Sequence, residues 1–205
     1  MILALLDVVS LSRLSLGPVS LQVEAGECVS IAGRSGTGKT LLLRAIADLD
    51  PHEGEVFLDG ASVASISPPQ WRSQVGLLPA ESAWWQVRVG DHFKEPNREW
   101  LDDLGFTEEI LAAPVERLSS GERQRLALLR LLANAPRVLL LDEPTANLDV
   151  LNVRRMETLI TAYRQSTDAA VLWVTHDPMQ ATRISGRHFR IEDGDLHEAR
   201  LEQTG

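Results

Sequence analysis

Residues 33–40 read GRSGTGKT, a match to G-x-x-x-x-G-K-[ST] set between the apolar run "CVSIA" and the run "LLLRAI". No other stretch restricts the fold so much. Glycines at Gly33, Gly36 and Gly38 let successive backbone N–H groups turn into one concavity, and a helix opening at its rim adds positive potential for phosphate oxygens. The chain must therefore supply a strand, a tight loop and a helix in that order. Lys39 is placed to reach terminal phosphates and Thr40 to hold Mg²⁺, with Arg34, Ser35, Thr37 and Leu41 completing the expected nucleotide site. Of the 20 Lys and Arg residues only Lys39 and Lys94 are lysines, so a lysine at this position is not a common event in this chain.

The rest of the chain fits that requirement. Strands are expected at "ILALLDVV", "VSLQVE", "CVSIAG", "GEVFLDG" and "VGLLP", with a helix over "KTLLLRAIADLD" whose Leu42, Leu43, Ile46 and Leu49 share a spacing until Asp50-Pro51 stops it. "PPQWRSQ" predicts a short helix with proline in its first turn. From Ala80 to about Asn134 the pattern turns helical, and beyond it the apolar runs "RVLLLDEP" and "AAVLWVTHD" have strand length. Between them, Val153, Met156, Leu159, Ile160 and Tyr163 fall on one helical face. Two short strands around Glu192-Asp193-Gly194 are expected in "RHFRIEDGDLHEA". Strands alternating with helices around a helical middle indicate an α/β core, residues 1–79 and 137–205, carrying an inserted helical subdomain at about 80–136. The runs suit parallel strands covered on both faces.

Composition narrows the function. A chain of 205 residues with 44% hydrophobic residues can bury one core, and its apolar runs are far shorter than the ~20 residues of a membrane span. Met1-Ile2-Leu3 lacks the basic start of a secretory signal, so a cytoplasmic protein is expected. The single cysteine, Cys28, allows no internal disulfide and reads as a small buried hydrophobe. A net charge of -9 argues against nucleic acid as a partner, and the acid-rich stretch "DHFKEPNREWLDDLGFTEE" reads as a solvated helical face.

Two further strand ends carry chemistry. Asp142 and Glu143 close "RVLLLDEP", where Asp142 can meet Mg²⁺ and Glu143 can act as general base on an attacking water. His176 follows "VLWVT", positioned to hydrogen-bond a γ-phosphate or that water, with Asp177 as its orienting neighbour. In "LSSGERQRLALLRLL", Ser119 and Glu122 have the spacing of a capping box that opens a helix.

The order "GRSGTGKT", "LSSGERQRLALLR", "VLLLDEPTANLD", "VTHD" closely resembles the nucleotide-binding domains of ATP-binding cassette (ABC) proteins, over nearly the whole chain. The resemblance implies a P-loop NTPase core with a mainly parallel central sheet and N-terminal antiparallel strands. It implies an ATPase with ATP and Mg²⁺, and a head-to-tail pair formed with a second copy or a homologous ATPase subunit. In such a pair Ser119, Ser120, Gly121 and Glu122 would face the partner's γ-phosphate, and Asp149 would signal across the dimer. It also implies a separate transmembrane permease powered from the cytoplasmic face of the membrane. A soluble nucleotide-gated clamp in DNA repair or translation is the alternative, although the long coiled-coil insertion or second cassette of such relatives is not seen. A small-molecule kinase would not need "LSSGE" or "TANLD".

Three places depart from the family pattern. The signature has Ser120 and Glu122 where glycine and glutamine are commonest. "SLSRLSLGPVS" offers no aromatic ring for adenine, which leaves an aliphatic group or Arg13. In "LLPAESAWW" the usual glutamine is replaced by Ala80, and a one-residue shift would bring Glu81 to the metal. Trp84 and Trp85 cannot easily both be core at adjacent positions; the resemblance implies a permease contact near Glu81–Trp85, with packing inside the helical subdomain as the alternative.

Overall fold

The structure is a computed structural model that describes residues 4–199. Met1, Ile2 and Leu3, where the first strand was expected to begin, and the last six residues of the expected core lie outside the described residues.

In chain order the first elements are β1 (Leu6–Arg13), β2 (Leu16–Val23), β3 (Cys28–Ala32) and α1 (Lys39–Ile46). Then come β4 (Glu53–Leu58), β5 (Ala61–Ser62), α2 (Pro68–Gln74) and β6 (Val75–Leu78). The middle holds α3 (Arg98–Asp103) and α4 (Ser120–Leu132). The chain continues with β7 (Val138–Asp142), α5 (Val150–Thr167), β8 (Ala170–Val174), α6 (Pro178–Ile184), β9 (Arg187–Glu192) and β10 (Asp195–Ala199).

Two sheets result. The first is antiparallel, in the order β2-β1-β4-β5; the second runs β10-β9-β3-β8-β7-β6 and is parallel from β9 to β6. Strands β7 and β8 are buried along their whole length, as a parallel sheet covered on both faces requires. Side chains alternate between two cores: Val29, Ile31, Leu140, Leu172 and Val174 face the antiparallel sheet, α1 and Trp71, whereas Leu139, Leu141, Val171 and Trp173 face α4 and α5. Each fully buried aliphatic side chain contributes roughly 2 kcal/mol of transfer free energy to this sandwich. Cys28 is buried in the second core, and burial pushes its thiol pKa up to about 12, so it behaves as the small hydrophobe expected.

The register brings the chemistry to one edge. Asp142 pairs with Val174 and Val174 with Ile31, so β3, β7 and β8 end side by side and release their following loops into one crevice.

Two expectations about helices need correction. The first helix ends at Ile46, because Asp48 turns into the left-handed region (φ 54), and Leu49 is left 43% exposed beyond it. Between Ala80 and Asn134 only α3 and α4 are α-helical; the remainder is loop and single turns at Gly90–His92, Glu108–Ala112 and Val115–Arg117. Pro79, Pro96 and Pro114 interrupt the apolar spacing there, and a proline cannot supply the N–H that a continuing helix needs. In α5, Met156, Leu159, Ile160 and Tyr163 are buried as read, together with an unforeseen acid, Glu157.

Candidate active site

The phosphate loop is built as its glycines demand. Gly38 sits in the left-handed region (φ 105) at the start of α1, and a Cβ there would stand 3.2 Å from Leu16 Cδ1. At Gly33 an added Cβ would meet the Ile191 carbonyl at 2.8 Å, so the loop can pass β9 only as glycine. Thr37 Oγ1 donates to the Arg34 carbonyl (2.9 Å) and closes the turn. Lys39 is buried, and its Nζ donates to the carbonyls of Gly33 (2.8 Å) and Arg34 (3.0 Å), which holds the ammonium at the mouth of the loop.

Opposite stand the acids. Thr40 Oγ1 donates to Asp142 Oδ2 at 2.7 Å, joining α1 to the end of β7. Burial is the largest influence on Asp142 and raises its pKa, which the hydrogen bond from Thr40 only partly opposes. A cation beside it would relieve that burial. A hydroxyl and a carboxylate oxygen side by side suit Mg²⁺, which takes few protein ligands and completes its shell with phosphate and water. Among the described residues no group of three or more His, Cys, Asp or Glu gathers for a metal.

Glu143 adopts φ 45, a left-handed conformation that costs a non-glycine residue of order 1 kcal/mol. This turn takes its carboxylate off the strand line, to 3.4 Å from His176 Nδ1. Gly33–Gly36, Gly38–Leu41, Asp142, Glu143 and His176 line one cleft of about 620 Å³.

The second group of expected residues lies elsewhere on the chain. Ser119 caps α4: its Oγ accepts from the Glu122 amide (3.2 Å), while Glu122 Oε2 accepts from the Ser119 amide (2.8 Å). Those bonds to Ser119 hold the Glu122 carboxyl below its ordinary pKa. Gly121 leaves room for Leu148, whose Cδ2 would stand 2.8 Å from an added Cβ and would have to shift. Asp149 caps α5 through the Asn152 amide at 2.9 Å. None of Ser119, Ser120, Gly121, Glu122 and Asp149 lines the phosphate cleft.

Glu81 also stays out of that cleft. With Ala80, Ser120, Asn147 and Leu148 it lines a neighbouring one of about 290 Å³, whose far wall is Glu143. Gln124, which sequence reasoning passed over, stitches this region: its Nε2 donates to the Pro79 carbonyl (2.9 Å) and its Oε1 accepts from Ser82 Oγ (3.2 Å). Its signal was a polar side chain on the buried face of an apolar helix.

The two tryptophans divide. Trp84 is half-buried and packs on the second core, while Trp85 is 68% exposed. The guanidinium of Arg130 covers both rings, at 4.5 and 4.7 Å. Arg13 is not available to a base: it donates to the Pro51 carbonyl and lies 3.7 Å from Asp50.

Residues 16–146 match the family model described as ABC transporter. The chain belongs to the ABC transporter family. It is 38% identical over 183 residues to an aliphatic sulfonates import ATP-binding protein, SsuB 2, of Agrobacterium fabrum, covering 87% of this chain and 70% of that protein. The SsuB 2 of Pseudomonas savastanoi pv. phaseolicola is 39% identical, over 87% of this chain and 65% of its own length. The dimeric, ADP- and Pi-bound ATP-binding cassette MJ0796 superposes with a TM-score of 0.82 at 24% identity, over 96% of this chain and 99% of that one. A bacterial Atm1-family exporter with ATP bound also reaches 0.82, at 22% identity, over 97% of this chain and 39% of its own. The fold of this chain is thus that of both these cassettes. This ABC ATPase has no helix among the described residues long and apolar enough to cross a membrane.

Proposed function

We propose that this ABC ATPase works as a head-to-tail pair on the cytoplasmic face of a membrane, powering import through a separate permease. One observation carries the pairing: none of Ser119, Ser120, Gly121 and Glu122 lines the phosphate cleft of its own chain, so a second copy would bring them onto one nucleotide. The relatives named for import support the direction.

In this reading Lys39 and the loop amides hold the phosphates, and Ser119 and Gly121 of the other copy close on the γ-phosphate with the positive end of α4. Thr40 and Asp142 would hold Mg²⁺, which when bound offsets phosphate charge. Glu143 accepts a proton from water as the water oxygen bonds to the γ-phosphorus; the bond from the γ-phosphorus to the bridging oxygen breaks and its electron pair leaves on ADP. His176, 3.4 Å from Glu143, holds the water and the γ-phosphate in line. The aliphatic platform for the base is assigned to Leu14, 84% exposed in the turn that precedes Leu16, whose side chain lies beside Gly38.

Glu81 is assigned to the metal side of the closed site because it shares a cleft with Glu143. An unchanged Mg²⁺ requirement in Glu81→Ala would remove that role. The permease contact is assigned to the groove of about 680 Å³ along Pro79, Trp85, His92, Arg130 and Leu131, which leaves a large ring at its edge.

The decisive variant is Glu143→Gln. Turnover should fall about 10²–10⁴-fold, the range of a general base, while ATP binding persists and an ATP-dependent dimer accumulates in size-exclusion chromatography. Unchanged turnover would take Glu143 out of the base role, and a chain that stays monomeric with bound ATP would defeat the pairing.

A further inference from the structure

Behind the two catalytic loops lies a buried polar cluster that the proposed chemistry does not use. Its centre is Gln180, 3% exposed, in the first turns of α6. Its Nε2 donates to Thr145 Oγ1 (2.9 Å) and to Glu157 Oε1 (2.9 Å), and its Oε1 accepts from Thr175 Oγ1 (2.8 Å). Thr145 lies two residues beyond Glu143, and Thr175 immediately precedes His176. One side chain therefore bonds to both loops that carry the proposed base and its histidine.

The amide is fixed in its orientation. A carboxylate only accepts, so the NH₂ end of Gln180 must face Glu157 and the carbonyl end must face Thr175. Burial would raise the Glu157 pKa, yet hydrogen bonds from Arg183 and Gln180 outweigh it and the net direction is downward. Arg183 grips that carboxylate with Nη2 (2.7 Å) and Nε (3.0 Å), and Arg154 adds a third contact at 3.3 Å. Thr175 Oγ1 in turn accepts from the Asp177 amide (3.1 Å). The chain of bonds runs without a gap from Arg183 through Glu157 and Gln180 to both hydroxyls, and buried amides that are fully partnered hold their neighbours in one arrangement.

We propose that Gln180 is a positioning residue for ATP hydrolysis: it fixes the distance between the loop of Glu143 and the loop of His176. This rests on the assignment of those two residues to the reaction. The requirement is for a neutral group that donates toward Glu157 and accepts from Thr175 at once. Leucine fills the volume and does neither. Glutamate meets the requirement only while protonated; ionised, it sets a second carboxylate against Glu157.

The test is the ATPase of the full chain as a function of pH, each variant expressed as a ratio to wild type. The charged groups around the position are Glu157 and Arg154 from α5, Arg183 from α6, Asp177 at its cap, and Glu143 and His176 from the loops; all are present in wild type, so the ratio isolates the new carboxyl. Gln180→Leu should lower kcat about 10- to 100-fold, the scale of an ångström of misplacement, with ATP affinity within about twofold. Gln180→Glu should approach wild-type turnover near pH ~6 and fall away reversibly as pH rises, because only the protonated acid replaces the amide.

A flat ratio for Gln180→Glu, or full turnover in Gln180→Leu, would overturn the proposal. So would parallel loss of kcat, ATP affinity and thermal stability in both variants, since a merely structural role predicts that and no recovery at low pH. Glu143→Gln separates the levels: if it retains turnover, the underlying site assignment fails, whereas lost turnover there with a flat Gln180→Glu ratio defeats this inference alone.

Discussion

The phosphate cleft and the turn at Pro79–Val89 both leave strand ends at the same edge of one parallel sheet, yet they are held by different forces. In the cleft and just behind it, buried polar atoms have partners with direction: Lys39 on two carbonyls and Thr40 on Asp142 in the cleft, Gln180 on two threonines and an acid behind it. In the turn, Arg130 stacks on Trp84 and Trp85, and His92 Nε2 accepts from the amides of Trp85 and Gln86. Two donors in it, Trp84 Nε1 and Arg130 Nη1, are buried without a partner. Stacking tolerates sliding where a hydrogen bond does not, so the cleft is preorganised for charge, whereas the turn is pinned by Gln124 at Pro79 and Ser82 and held more loosely at its exposed Trp85 end.

Breaking the cleft should give the largest effect. Lys39→Ala removes the buried ammonium from the mouth of the loop, and ATP affinity should fall at least about 100-fold in a nucleotide titration, the scale of a charge-assisted phosphate contact. Retained affinity would mean that the loop amides alone carry binding. Next comes Trp85→Ala, which removes the exposed ring at the groove edge. Permease-stimulated turnover in proteoliposomes should drop about tenfold, as loss of one interface anchor does. An equal drop in the isolated chain would erase the distinction, showing that the turn serves the cleft and not a partner.

The same contrast explains what could be read from the sequence. GRSGTGKT, Asp142-Glu143 and His176 were legible because each follows an apolar run of strand length, and parallel register forces such ends together. The match of "PPQWRSQ" to α2 was equally local, with proline opening the helix and Trp71 buried in it, its Nε1 on the Ile46 carbonyl (2.9 Å). Helicity over 80–134 was overread, because apolar spacing there reflects loops packed on α4 and not a repeating backbone. Arg13 looked free for adenine because its partners, Pro51 and Asp50, lie far along the chain. Gln180 and Glu157 were invisible for a related reason, and Gln124 was marked only by falling on the apolar face of its helix: a buried polar residue is recognised by partners that only tertiary structure supplies.

The smallest expected effect concerns α4, the one element common to both regions. Its first turn carries Ser119 and Gly121, Gln124 bonds to Pro79 and Ser82, and its last turns carry Arg130 to the tryptophans. Glu122 holds the start of this helix, and its carboxyl is depressed below the ordinary value in the folded state by the bonds to Ser119. A depressed acid contributes stability that is fully present above its unfolded pKa, roughly 4.3, and is lost as pH falls through the lower folded value. Glu122→Gln keeps an acceptor for the Ser119 amide but not the charge. It should therefore cost about 0.5–1 kcal/mol near pH ~7, the size of a capping contribution, and the difference from wild type should shrink below pH ~4. Thermal unfolding of both proteins across that range measures it. A difference constant with pH would show that the charge does not matter to the cap.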